Sequence, residues 1–300
     1  MFNGKYNVIA VIVLTVGLVS AQACTVSIGE LALWSGGSIG AGKDVTITGV
    51  SASKSAINLD KGTNADSIYT MGSIWLGNDV TVSGDATANG TISKSKSAVV
   101  TGSSNSYADF SLPTLDLLSK PATGTINIYA ASNSSKSLSP GEYSEWTFGN
   151  GTTVNLSSGS YNLSSFWAGT GSVVNIDTTS GDVVLNVAGN FSVGSGVKFV
   201  SSGSGTLYVN VYNSDAWLDN NANIRGNIRV YGGGLSTGTS VNLTGSIYAT
   251  GDIYLGNYSD VTYAATTSSI PEPSTLVIFA AAGMVFIARR RGATNTSTAE

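Results

Sequence analysis

The sequence predicts an all-β chain wound as a parallel β-helix, and three observations carry that expectation. Short runs alternate apolar and polar residues, as in Val45-Thr46-Ile47, Val80-Thr81-Val82, Ile126-Asn127-Ile128, Val154-Asn155-Leu156, Val197-Lys198-Phe199, Ile228-Arg229-Val230 and Val241-Asn242-Leu243. Period two with one apolar face is the mark of a half-buried strand. Gly, Asn and Ser punctuate these runs, so the chain turns every few residues. Residues 37–49 also align with residues 72–84 at an offset of 35, which corresponds to about two coils of a solenoid. Looser echoes begin at Gly189 and at Gly245, the latter ending in Asp260-Val261-Thr262-Tyr263. A β-sandwich is the alternative, since many short strands with frequent turns also suit that fold.

The first element is a secretory signal over residues 1–23. Lys5 precedes an apolar stretch over residues 8–19, and Ala21-Gln22-Ala23 offers the small-x-small site that signal peptidase prefers. Cleavage after Ala23 makes Cys24, the sole cysteine, the first mature residue. A lipid-modified cysteine is the rival reading, but Ala21 stands where a lipobox carries a leucine-like residue, and Gln22 is bulky and polar. A lone cysteine forms no internal disulfide, so stability must come from packing.

The body, residues 24–269, is long enough for one elongated β domain or two small ones. Ten lysines and arginines stand there against sixteen carboxylates, a net charge of −6. That balance argues against nucleic-acid binding, which needs clustered cations to displace phosphate counterions. The polar surface is built from Ser, Thr, Asn and Gly rather than from charges. Residues 112–123 break the pattern, with Pro113 and Pro121 around Leu115, Leu117 and Leu118. They either divide two coil sets or form an excursion along one face of a single solenoid. Thr114 to Ser119 is the one candidate for a short helix.

Catalytic chemistry has little to work with. The absence of histidine removes the Ser-His-Asp arrangement, the Cys-His pair and most zinc sites. Two carboxylate pairs stand near aromatics: Glu142 and Glu145 beside Trp146, and Asp215 and Asp219 around Trp217. Such pairs serve glycosidases when correctly spaced, yet both lie in Gly-, Ser- or Asn-rich segments that face water. Asp44, Asp79 and Asp260 precede Val-Thr, and Asp252 sits in a similar turn. A calcium column is weighed against hydrogen-bonding Asp at coil corners; calcium wants six to eight oxygens, so the corner role is preferred. No catalytic residue, cofactor or metal is expected. Trp34, Trp75, Trp146, Trp167 and Trp217 would stack on sugar rings if exposed on one side, whereas core packing is their ordinary use. Thr46, Thr48 and Thr81 resemble an ice-binding ladder but span too few coils.

The last element is tripartite: Ile270-Pro271-Glu272-Pro273-Ser274, an apolar run over residues 276–288, and Arg289-Arg290-Arg291, followed by a polar tail over residues 292–300. As a helix the run would be about 20 Å long at 1.5 Å per residue, short of the roughly 30 Å hydrocarbon core. The arginines hold it with the preceding chain outside, and the two prolines keep Glu272 extended for a protease to read. This tail resembles the PEP-CTERM signal. The resemblance implies recognition of Pro271, Glu272 and Pro273 by a membrane-embedded exosortase, removal of the hydrophobic helix after transient inner-membrane insertion, and delivery to the cell surface or extracellular matrix of a Gram-negative bacterium. The segment around residues 138–143 and 158–161 is also similar to β-helical modules of bacterial surface and pilus-associated proteins. The expectation is therefore an exported structural or adhesive protein, associated with exopolysaccharide or biofilm and handled by signal peptidase and exosortase. A secreted β-helix polysaccharide lyase or hydrolase, and a pilus-associated or polymer-forming scaffold, are its alternatives.

Overall fold

The computed structural model describes residues 30–264. Ala21, Ala23, Cys24, Pro271, Glu272, Pro273, Arg289, Arg290 and Arg291 lie outside the described residues, as does the apolar run before the arginines.

Three parallel sheets of eleven strands each, here sheets A, B and C, form the sides of a β-helix. Every pairing along the axis is parallel, which rules out a sandwich of antiparallel sheets. Ile39, Ile57 and Ile74 stack in register in sheet B, so the offset of 35 is two coils, of 18 and 17 residues. Farther along, the coils lengthen to 25 residues, as from Phe166 to Phe191. Gly189-Asn190-Phe191 shares this register with the repeat. The echo at Gly245 does not: Ile247 lies in sheet A, and Asp260 pairs with Thr46 rather than standing where Asp44 stands.

The winding starts in the middle of the rod. In sheet A the strand Leu31–Ser35 is flanked on one side by Val50–Ser53 and on the other by Ile247–Ala249. The chain winds outward to Ser104–Asn105, returns along the rod, and winds back from Ile128–Ala130 until its last coil meets its first. The return passes over sheet A as a strap, residues 106–127. Ten strand spacings of about 4.8 Å are roughly 48 Å, within the reach of this many extended residues. Phe110 packs edge-on against Tyr69, and Leu112 and Leu115 cover Leu31, Trp34, Ala52 and Tyr248 at the join. Trp34 Nε1 donates to Pro113 O at 3.0 Å. Thr114 to Ser119 is not helical; the strap runs extended because its apolar side chains are drawn onto a flat sheet and Pro121 removes a donor.

Between sheets B and C the chain turns through a left-handed residue in ten coils: Asn133, Gly151, Gly171, Gly196, Asn221, Ser240, Tyr258, Asp44, Gly62 and Asp79, with φ between 54° and 74°. Nine of them donate their N–H to the carbonyl of the next coil at 2.8 to 2.9 Å, from Asn133 to Asn150 through Tyr258 to Lys43 and on to Gly62 to Asn78. The tenth, Asp79, donates to Ser97 Oγ at 2.9 Å. The residue after each turns inward and is Val, Ala, Ser or Thr, which explains the Asp-Val-Thr motif. The core inside is one continuous apolar column, with Trp146, Phe148, Phe166, Phe191 and Phe199 stacked in its wider part.

Both ends of this column carry lysine. Lys94 pairs with Leu76 and Lys136 with Val154, each occupying an inward position of a terminal strand. An inward charge blunts an open edge against a second rod. The double variant Lys94→Leu/Lys136→Val is expected to associate end to end, read as concentration-dependent light scattering above that of the native chain. The corner column is testable separately: a Cβ at Gly171 meets nothing within 4 Å, so Gly171→Ala isolates the backbone cost. It should lower stability by about 1–2 kcal/mol, and Ser240→Gly should raise it by a smaller amount, both read from thermal melts.

Candidate functional site

The inward residues of sheet B fix what its outward residues do. Each strand contains a triplet whose first and third positions face the core, as in Ile74-Trp75-Leu76, Phe166-Trp167-Ala168, Ala216-Trp217-Leu218 and Ile253-Tyr254-Leu255; Glu145 and Ser165 precede the triplet in two strands. The middle residue therefore points to solvent and stacks on the middle residues of neighbouring coils. From one end of the rod to the other this outward column reads Ser93, Trp75, Asn58, Gly40, Tyr254, Ser236, Trp217, Ser192, Trp167, Thr147 and Tyr129.

Five of these are aromatic and 42–67% exposed, while the positions between them are small or polar and uncharged. Tyr129, Trp167, Trp217 and Tyr254 occupy every second coil. At about 4.8 Å per strand, the steps between them are roughly 9.6 Å along the axis. The Tyr254 ring leans over Gly40 in the adjoining coil: its Cδ2 lies 3.2 Å from where a Cβ on Gly40 would sit. Glycine there leaves room for the ring to lie down on the sheet.

The other two sides differ. On sheet A the outward aromatics Trp34, Tyr69, Tyr231 and Tyr248 are buried by the strap. Burial pushes the Tyr212, Tyr231 and Tyr248 phenols above their ordinary range, and the Arg229 guanidinium partly offsets this. Arg229 sits 5.8 and 5.9 Å from the Tyr208 and Tyr248 ring centroids. Next to it an amide ladder runs from Asn210 to Asn186 to Asn162, each Nδ2 donating to the next Oδ1 at 2.9 Å. On sheet C, Thr244, Thr262 and Thr48 stack in register, but Thr46 and Thr81 are separated by Asn64, so the threonine pattern is interrupted. A recess of about 210 Å³ at the corner between sheets C and A is lined by Ser201, Thr206, Arg225 and Asn227.

The carboxylates singled out from sequence are dispersed. Asp215 and Asp219 stand at opposite ends of the Ala216–Leu218 strand; Asp215 Oδ1 accepts from Gly234 N at 2.8 Å, and Asp219 Oδ2 from Ser195 Oγ at 2.8 Å. Glu142 lies outward on sheet A and Glu145 begins a sheet B strand. Asp44 and Asp79 are left-handed corner residues, Asp252 Oδ1 accepts from Ser38 N at 2.6 Å, and Asp260 lies on sheet C. Among the described residues no three His, Cys, Asp or Glu side chains are grouped as a metal site. Of the five tryptophans, Trp75, Trp167 and Trp217 join the exposed column, Trp146 is in the core and Trp34 is under the strap. Tyr129 and Tyr254 complete the column and were not singled out from sequence; the signal for them is an aromatic between two apolar residues.

A family model described as "Domain of unknown function (DUF7305)" matches residues 119–271, about half of the chain. The chain belongs to this family. A second model, the PEP-CTERM protein-sorting motif, matches residues 269–291, where the sequence places Pro271-Glu272-Pro273 and the arginines. This DUF7305 protein is thus an exported, surface-associated substrate of an exosortase. No curated protein matches it. Among solved structures it is similar to an ice binding protein from an Antarctic bacterium, Flavobacteriaceae, with 10% identity and a TM-score of 0.32 over 76% of this chain and 81% of that one. It is also similar to an ice binding protein from an Antarctic Biological Consortium, with 13% identity and a TM-score of 0.31 over 78% and 88%. A third likeness is to a possible adhesin C-terminal domain from Caldicellulosiruptor kronotskyensis, with 14% identity and a TM-score of 0.18 over 85% and 61%. At these scores nothing about the ligand of the DUF7305 protein follows.

The packing of Tyr254 on Gly40 gives a direct check of the face. Gly40→Val should displace the ring and raise its exposure, seen as faster chemical modification of Tyr254, with a melting temperature within a few degrees of the native value.

Proposed function

We propose that the mature protein is a non-catalytic component of the cell surface or extracellular matrix that holds polysaccharide on sheet B. The observation that carries this reading is the exposed column Tyr129, Trp167, Trp217, Tyr254 and Trp75 on one side of a rod. Aromatic faces bury the apolar faces of sugar rings, and the uncharged Ser, Thr and Asn between them supply hydrogen bonds without a charge to desolvate. The column runs through eleven stacked strands, so its contacts are distributed along a polymer rather than gathered in a pocket. The carboxylates are dispersed, and Asp215, Asp219 and Asp252 are already engaged by backbone and hydroxyl donors, which supports a binding role over a hydrolytic one. The lysines at both ends weigh against a polymer-forming scaffold.

Processing completes the picture. The apolar run over residues 276–288 would tether the chain to the inner membrane of a Gram-negative cell until exosortase cuts near Pro271-Glu272-Pro273, and signal peptidase would act after Ala23. Intact mass spectrometry of the protein from surface and matrix fractions of its native cells tests this. A species beginning at Cys24 and ending near residue 272 is expected, any added mass reporting glycan or anchor. Finding residues 276–291 still attached would make it a conventional membrane-anchored protein. Release of new reducing ends from a polysaccharide by the purified rod would overturn the non-catalytic reading.

A further inference from the structure

The spacing on sheet B carries the argument to the class of polysaccharide. From Tyr129 to Tyr254 the outward column alternates strictly, an aromatic in every second coil with Thr147, Ser192 and Ser236 between. Successive rings are thus about 9.6 Å apart along the axis, and the four span about 29 Å. In an extended chain of equatorially linked hexopyranoses each ring advances by about one strand spacing, and alternate rings present the same face. Such a ribbon laid along the axis brings every second sugar over an aromatic, with the intervening sugar over a hydroxyl side chain.

Resting on the reading of sheet B as the glycan-holding face, we infer that its ligand is a neutral, flat, equatorially linked polysaccharide of the cellulose or chitin type, bound parallel to the rod axis. The register argues for the direction: across the sheet a strand offers one outward side chain, or two in Glu145–Phe148 and Ser165–Ala168, and only along the axis do the rings repeat. Charge argues for neutrality. The column holds no ionised group and the body is acidic overall, so a polyuronate gains no partner there. Curled chains with axial linkages turn successive rings away from a flat surface and meet one aromatic at a time. Tyr254, lying over Gly40, carries the aromatic surface across the join between the first and last coils, toward Trp75.

The test is titration of the purified rod, residues 24–270, with cello- and chito-oligosaccharides of increasing length, followed by tryptophan fluorescence. Malto-oligosaccharides serve as the curled comparison. Affinity should rise with each added pair of sugars and level off once the four rings are covered. Trp167→Ala and Trp217→Ala should each weaken binding of the long oligosaccharides about tenfold. Ser192→Glu keeps every ring in place and should weaken it as well, so loss does not depend on a variant that fails to fold; circular dichroism and melting confirm the fold of each. Equal binding of malto-oligosaccharides, or undiminished binding by all three variants, overturns the inference. A rod that sediments with polysaccharide from its own cells but ignores both cello- and chito-oligosaccharides also overturns it, while leaving the broader reading standing. A rod that binds none of these overturns both.

Discussion

The fold rests on hydrogen bonds that run along the axis, because each coil is fastened to the next and must therefore trace the same path. The constraint is tightest at the corner between sheets B and C. There ten residues take left-handed geometry, and nine of their N–H groups reach a carbonyl one coil away. In all ten coils this residue follows the first inward side chain of sheet B by five positions: Ile39 to Asp44, Ile57 to Gly62, Trp146 to Gly151, Phe191 to Gly196, Ile253 to Tyr258. Variation in coil length is absorbed elsewhere, in the longer strands and turns of sheets C and A. Left-handed geometry costs an ordinary side chain about 1–2 kcal/mol, so Gly, Asn and Asp dominate. Ser240 and Tyr258 are the exceptions, and the Tyr258 ring takes the Lys43 ammonium at 6.0 Å.

A chain that begins in the middle of its own rod has a second problem. The first and last coils are joined by hydrogen bonds but not by sequence, and the loop that connects their two series must travel the whole length. The strap answers both needs. Its Leu112 and Leu115 rest on Leu31, Trp34, Ala52 and Tyr248, side chains from both coil series, and the Trp34 indole is tied to Pro113 O. Covering sheet A in this way hides aromatics that would otherwise form a second exposed column. It leaves sheet B as the side with bare rings.

Much of this was legible before any coordinates. The two-coil offset and the parallel solenoid follow from period-two burial; Asp44 and Asp79 do stand at coil corners, but through left-handed backbone rather than the expected side-chain hydrogen bonds, and Asp260 lies on sheet C instead. What stayed hidden is what depends on the third dimension. Ile247-Tyr248-Ala249 and Ile253-Tyr254-Leu255 are nearly the same words, yet one lies under the strap and the other faces water. Gly before an apolar triplet opens strands of both sheet A and sheet B, which is why the echo at Gly245 was set in the wrong register. Thr114 to Ser119 has a composition that tolerates helix, but helix would shorten the strap and lift Leu115 from the sheet. The candidate carboxylate pairs failed for a related reason: short separation in sequence, around a corner, places Glu142 and Glu145 on different sides.

The invariant step from sheet B to its corner also bears on function. Insertions in the 25-residue coils shift other parts of the surface, but they leave the outward positions of sheet B stacked one above another. A single exposed aromatic is a weak contact; a row in fixed register converts it into many contacts with one polymer, each later one formed at high effective concentration. Such a row needs no pocket, no metal and no perturbed acid, and a deep cleft would interrupt it. An open, regular face of this kind suits a long, regular chain, which it would meet ring by ring along the axis.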